Sequence, residues 1–357
     1  MMTTNRTYFF TILILTILFV TSCNNIRKEE KTNLVTTIAF GSCAKQYENL
    51  SIFDTIVTHK PDLFIFLGDN IYGDTKNMDT LRNKYAQLNA NKSFKNLKKS
   101  TPIVATWDDH DYGWNDAGKE YPFKKQSKEI FLEFFNEPKK SLRRTHDGIY
   151  HSYNYKYADK ILQVIMLDVR TFRDGLKPYN GDFDDDERYS FYEKEFSPVM
   201  DKDSTFLGNE QWNWLENELK KFADIRLICS GNQFGIEWNS YESWANFPYE
   251  REKMLDLIKE TKANGVIFLT GDVHYSEISK LETSFYPIYD FTSSGLTSKW
   301  KFATPNKNRI EGPVMDNHFG LLTINWGSRD PKIKMENWDI YNNQRFELTI
   351  DQDNISF

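Results

Sequence analysis

Short apolar runs that break off in polar residues organise this chain. Thr36–Phe40 ends in Gly41-Ser42-Cys43, and Leu63–Leu67 ends in Gly68-Asp69-Asn70. Ile103–Trp107 leads into Asp108-Asp109-His110-Asp111, and Ile161–Leu167 into Asp168-Val169-Arg170. Arg226–Cys229 precedes Ser230-Gly231-Asn232-Gln233, and Val266–Thr270 precedes Gly271-Asp272-Val273-His274. Runs this short and this continuously apolar suit strands buried on both faces. Between them, apolar residues recur at helical spacing. The candidates are Ile52–His59, Asp79–Leu97, Lys124–Asn136, Asn209–Phe222 and Tyr249–Ala263.

Strand and helix alternate, so α/β layers are the expected architecture. In such folds ligands bind outside the carboxyl ends of the strands. The polar residues that close the runs sit at those ends. Thr171–Phe206 departs from the alternation, with Asp182, Asp184, Asp185, Asp186 and Glu187 set among Tyr and Phe. Its length marks an excursion over the site or a solvated acidic loop. After Asn317, Phe319–Trp326, Lys332–Trp338 and Arg345–Ile350 read as strands of a closing antiparallel sheet. No internal repeat and no domain linker stands out.

The amino terminus reads as an address. Arg6 is followed by an uncharged run from Tyr8 to Val20. A membrane span needs about 20 residues, so this shorter run suits a signal peptide. It ends Thr21-Ser22-Cys23, which resembles a bacterial lipobox. The resemblance implies cleavage before Cys23 and a lipid on its sulfur, which would hold the protein to a membrane of the bacterial cell envelope. Residues 1–22 are then the lipoprotein signal, 23–35 a tether and 36–357 the folded domain. Cys43 and Cys229 remain, and Cys229, inside an apolar run, reads as core.

Composition narrows the function. Charged residues number 45 Lys+Arg against 51 Asp+Glu, a net of -6. That balance excludes a dedicated nucleic-acid-backbone binder, which needs a positive face. Hydrophobic residues at 39 %, with 27 Phe and 19 Tyr, exclude global disorder.

Taken together, Cys43, Asp69, Tyr72, Asp109, Asn232, Asp272 and His274 are metal-ligand types at strand ends. Gly68-Asp69-Asn70-Ile71-Tyr72 resembles the GDxxY motif of calcineurin-like metallophosphatases that hold iron through a tyrosinate. Asp108-Asp109-His110-Asp111 and Gly271-Asp272-Val273-His274 stand where that superfamily carries GNH and GHxH. Gly41-Ser42-Cys43, Leu167-Asp168-Val169-Arg170 with Arg173, Gly231-Asn232-Gln233 and Asn317-His318-Phe319-Gly320 are similar to one branch, the PhoD-like alkaline phosphatases. The resemblance runs from about Phe40 onward. It implies a four-layer sandwich, two mixed β-sheets flanked by helices. It implies metal-dependent hydrolysis of small phosphate esters outside the cytoplasm. Relatives often carry an N-terminal β-sandwich, which this chain is expected to lack.

Carried over position by position, the resemblance implies two cation sites. Cys43, Asp69, Tyr72 and His274 form one, an anionic donor set that favours Fe3+. Asp69, Asp109, Asn232 and Asp272 form the other, an oxygen set that suits Ca2+. Zn2+, Mn2+ or Mg2+ are the alternatives. Asp109 aligns with the ligand position, while Asp108 reads as a catalytic or supporting acceptor. His110 is the candidate acid for the leaving oxygen, or a phosphate contact. Arg170 is the candidate phosphate fork, or an ion-pair partner of Asp168. Asn232 is read either as a ligand or as a turn cap. His59, His146 and His151 read as structural. The rival function is a non-catalytic surface lipoprotein of the same fold.

Overall fold

A computed structural model describes residues 35–181, 187–327 and 330–357. The signal, Cys23, the tether up to 34 and Asp182, Asp184, Asp185 and Asp186 lie outside the described residues. The first half begins β1 (Val35–Gly41), α1 (Ile52–Thr58), β2 (Leu63–Leu67), α2 (Met78–Ala90), α3 (Lys92–Ser100) and β3 (Ile103–Thr106). A four-residue helix α4 (Asp109–Tyr112), α5 (Lys124–Phe134), β4 (His151–Tyr157) and β5 (Lys160–Met166) follow. The long excursion holds the short strands β6 (Lys177–Pro178) and β7 (Phe196–Ser197). Then come α6 (Gly208–Leu219), β8 (Ile225–Ser230), α7 (Pro248–Thr261) and β9 (Val266–Thr270). The chain closes with β10 (Ser276–Leu281), β11 (Ile288–Ser293), β12 (Arg309–Val314), β13 (His318–Asn325), β14 (Lys332–Asp339) and β15 (Gln344–Asp351).

Two mixed sheets face each other. One runs β15-β14-β13-β1-β2-β3, the other β12-β10-β11-β9-β8-β5-β4. The expected closing sheet is therefore half of the first one, because β13 pairs antiparallel with β1. Gly320 lies opposite Phe40 in that pairing, and any Cβ there would stand 2.3 Å from the Phe40 ring. The ring uses that space and meets Phe291 of the other sheet edge-on at 4.8 Å.

The continuous apolar runs follow from burial on both faces. In β2, Leu63, Ile65 and Leu67 point to the core between the sheets, while Phe64 and Phe66 pack in the outer layer with residues of α1, α2, α3 and α5. On the other side Trp212, Leu215 and Leu219 of α6 and Met254 and Ile258 of α7 cover the second sheet. The result is helix, sheet, sheet, helix. The stretch expected as one helix, Asp79–Leu97, is two. Asn91 adopts extended backbone and its side chain accepts from Ser93 N and Phe94 N, so it ends α2 and caps α3. Among the described residues no helix is long and apolar enough to cross a membrane.

Candidate metal centre

The carboxyl ends of β1, β2 and β3 in one sheet meet those of β8 and β9 in the other. The Cys43 thiol lies 3.4 Å from Asp69 Oδ2 and 3.5 Å from the Asp272 carbonyl. Donor atoms of Cys43, Asp69 and His274 lie within 4.8 Å of one another. The same holds for Asp69, Asp109 and His110, and for Asp108, Asp109 and Asp272. Asp69 and Asp109 therefore link one group to the next. Tyr72 OH reaches His274 Nε2 and Ser298 Oγ, both at 2.9 Å. Cys43, Asp69, Tyr72, Asp109, Asp272 and His274 are thus brought together.

Tight backbone aims these side chains. Cys43, Asp69, Asp272 and His274 all have positive φ, at 63°, 50°, 78° and 59°. Such strain at several non-glycine positions clusters at functional sites. Gly68, at φ 100°, makes the preceding turn, and a Cβ there would lie 2.4 Å from the Asp108 Cβ.

The donors are crowded and dry. Burial and the Asp69 charge push the Cys43 thiol well up. Asp69 and Asp272 are also pushed well up, by burial first and neighbouring acids after it. Burial works the same way on Asp109, but Arg170 and His110 outweigh it and hold that acid low. So many acids cannot share a dry site as anions without added positive charge. The Asn232 side chain is buried, yet neither its oxygen nor its nitrogen has a hydrogen-bond partner. Buried amides are almost always paired, so this one is aimed at something else. The donor chemistry and the orphaned amide both fit metal ions.

Two expectations need correction. Arg170 is wholly buried, and two of its three guanidinium nitrogens are hydrogen-bonded to acids, while Nη2 has no hydrogen-bond partner and lies 3.8 Å from Asp109 Oδ1. Nε donates to Asp108 Oδ1 at 2.5 Å, and Nη1 to both Glu242 oxygens at 2.8 and 2.7 Å. Its ion pairs are with Asp108, Asp109 and Glu242, not with Asp168, and it does not line the cleft. Asp168 instead accepts from Ile149 N and Thr171. Asp108, tied to Arg170, likewise does not line the cleft. His110 faces the cleft. Its Nδ1 is 2.7 Å from Asp74 Oδ1, and its ring lies against Tyr72, centroids 4.1 Å apart. Burial opposes a charge on His110, but Asp69, Asp109 and Asp74 push it up to about 11. Lys45 holds its ammonium 5.2 Å above the Tyr72 ring.

His318 lies one layer back, its ring against Gly295 and Nδ1 on the Asp316 carbonyl. Asn317 donates to the Leu296 carbonyl. His59, His146 and His151 lie away from the cleft: His59 packs on Trp338, His146 stacks on Tyr150, and His151 meets Tyr153 edge-on. Asp74, Asp116, Glu242 and Ser298 were not anticipated. Asp74 carried a signal, a second Gly-Asp pair five residues after the first. The others are single polar residues in loops and carried none.

The family model described as PhoD-like phosphatase matches residues 18–320. The chain belongs to the PhoD-like phosphatase family. Alkaline phosphatase D of Bacillus subtilis (strain 168) is 28 % identical over 295 residues, 70 % of this chain and 47 % of that protein. The chain thus spans about half the length of that curated relative. A solved structure of PhoD superposes at a TM-score of 0.70 with 21 % identity, over 90 % of this chain and 70 % of that one. GAP50, the anchor in the inner membrane complex of Plasmodium, follows at 0.56 with 12 % identity, over 90 % of each chain. A dimetal phosphatase from Danio rerio gives 0.52 with 14 % identity, over 89 % and 99 %. These likenesses establish the fold. In this PhoD-like chain the strand ends of that fold carry the donor groups described above.

Proposed function

We propose that this chain is a metal-dependent phosphoric ester hydrolase anchored in the bacterial cell envelope through a lipid on Cys23. The observation that carries the reading is the set of buried donor groups linked through Asp69 and Asp109, to which the orphaned Asn232 amide after β8 adds an unpaired polar side chain. Cys43, Asp69, Tyr72 and His274 would hold Fe3+. Asp69, Asp109, Asn232 and Asp272 would hold Ca2+, with Zn2+, Mn2+ or Mg2+ as alternatives. When bound, the pair supplies Lewis acidity to a water and to the phosphoryl oxygens.

The side chains divide the remaining work. Lys45, above Tyr72, offers its ammonium to a phosphoryl oxygen. Asp74 stabilises the charged form of His110, which gives its proton to the leaving oxygen. Arg170 and Arg173, bridged by Glu242, hold Asp108 and Asp109 in place. The cleft opens beside His274 toward Trp300 and Tyr241, which leaves room for a second ester substituent.

The fold alone does not decide between enzyme and anchor, since the Plasmodium anchor shares it. Elemental analysis of the purified full-length chain, run beside assays on mono- and bis-nitrophenyl phosphate, decides. Near-stoichiometric iron and calcium with turnover support the reading, and Asp69→Ala should lose both. Protein that stays inert after both ions are supplied would leave a non-catalytic binding lipoprotein.

A further inference from the structure

We propose that the cleft wall beside His274 is a subsite for an ammonium group, carried by the second ester substituent of a phosphodiester substrate. The inference rests on the phosphoric ester hydrolase reading and names the substrate class of that same site. Trp300 leaves 40 % of its surface exposed. Its ring lies 5.7 Å from the His274 ring, one side chain away from the donor groups. Tyr241 stands nearly perpendicular to it, at 80° and 5.9 Å. The two rings form a corner, and they are held from behind. Tyr192 stacks on both Tyr241 and Phe302 at 5.3 Å, and Phe302 meets Trp300 at 6.2 Å.

Glu195 completes the wall. It lines the same cleft, and its backbone is pinned by Ser240 Oγ and Tyr179 N. No hydrogen bond or ion pair engages its carboxylate in the described structure. The other acids of the cleft are spoken for. Glu242 is paired with Arg170 and Arg173, Asp116 accepts from Asn115 Nδ2, and Asp109 and Asp272 belong to the donor groups. Nearby cations are turned to other work: Lys299 to Asp316, and Lys194 to the Tyr179 ring. A corner of aromatic faces with one unpaired carboxylate attracts an organic cation, most of all a quaternary ammonium. A sugar ring stacks on one flat face, whereas these two rings are perpendicular. A second anion would be repelled by Glu195.

The test uses the detergent-solubilised full-length chain, supplied with iron and calcium. Two diesters are compared: nitrophenyl phosphorylcholine and nitrophenyl 3,3-dimethylbutyl phosphate, which has carbon in place of nitrogen. In both, water attacks phosphorus and the bond to nitrophenolate breaks, so shape and leaving group are constant. The choline ester should be favoured about tenfold in kcat/KM. Glu195→Gln and Trp300→Ala should each bring that ratio, read within the variant, close to one. A ratio near one in the unmodified protein, or a preference that survives both substitutions, overturns the subsite. Turnover of nitrophenyl phosphate with no choline preference overturns the subsite and leaves the hydrolase reading standing. Should no ester be cleaved, the hydrolase reading fails. Tryptophan fluorescence titrated with phosphorylcholine and with 3,3-dimethylbutyl phosphate then tests the subsite alone. Tighter choline binding supports it, and equal affinity overturns it.

Discussion

At the residue scale, the position of one cation decides how substrate is held. Arg170 was the natural candidate from sequence, because an Arg fork matches phosphate. Its neighbours in space were not legible. Glu242 lies 72 residues away and takes Nη1 with both its oxygens. Lys45 lies two residues past Cys43 and faces the ring of Tyr72. Its charge also acts, after burial, to hold His274 down at about 4. Lys45→Ala should raise KM for nitrophenyl phosphate about tenfold, as expected for one charge-assisted contact. Because the contact forms with ground-state phosphate too, kcat should change far less. Lys45→Arg should restore most of the affinity. Steady-state kinetics on the three proteins checks this, and an unaltered KM in Lys45→Ala returns the phosphate contact to another group.

At the element scale, what could be read from sequence was what is buried on both faces. The strands that precede Cys43, Asp69, Asp109, Asn232 and Asp272 are mostly apolar and break off in polar residues, so their ends were visible. β10 was not, because three of its five buried positions are polar. Ser276, Glu277 and Ser279 are all buried. Glu277 is satisfied by Gln233, Asn306 and Arg309, partners that only the folded sheet brings together. The helix break at Asn91 was missed for the opposite reason: apolar spacing continues through it while the backbone does not. Close packing between strand ends also sets the site. A Cβ on Gly231, after β8, would stand 2.4 Å from Asp108 Oδ1. Gly231→Ala must therefore push Asp108 off Arg170. Overpacking of this kind costs about 1–3 kcal/mol, so a lower melting temperature and weaker metal retention are expected. Gly175→Ala is the control, since nothing lies within 4 Å of a Cβ there. Thermal melts of the two variants should separate clearly.

At the scale of the whole molecule, the same acids that gather cations make the metal-free fold sensitive to pH. Burial, against the Asn70 and Asp108 backbone donors, raises Asp111 from 3.8 to about 8. Burial, reinforced by Glu242 and Asp109, raises Asp116 to about 8. His110 is raised from 6.5 to about 11. Between pH 6.5 and 8 the unfolded chain has released these protons while the folded chain keeps them. The folded state then binds more protons, so stability falls as pH rises. His274 and His318, lowered by burial to about 4, act in the opposite sense. The unfolded histidines are half deprotonated at pH 6.5 and largely so by about pH 7.5, so over this interval they offset part of the fall and do not reverse it. Cations reverse the sign, because carboxylates that bind metal have no need of protons and release them on binding. Chelator-stripped protein should therefore melt at steadily lower temperature from pH 6.5 to 8. The gap to the iron- and calcium-loaded protein should widen over the same interval. Melting curves that fall in parallel would mean that metal does not neutralise this cluster. A flat curve for the stripped protein would mean that the acids keep no protons in the folded state.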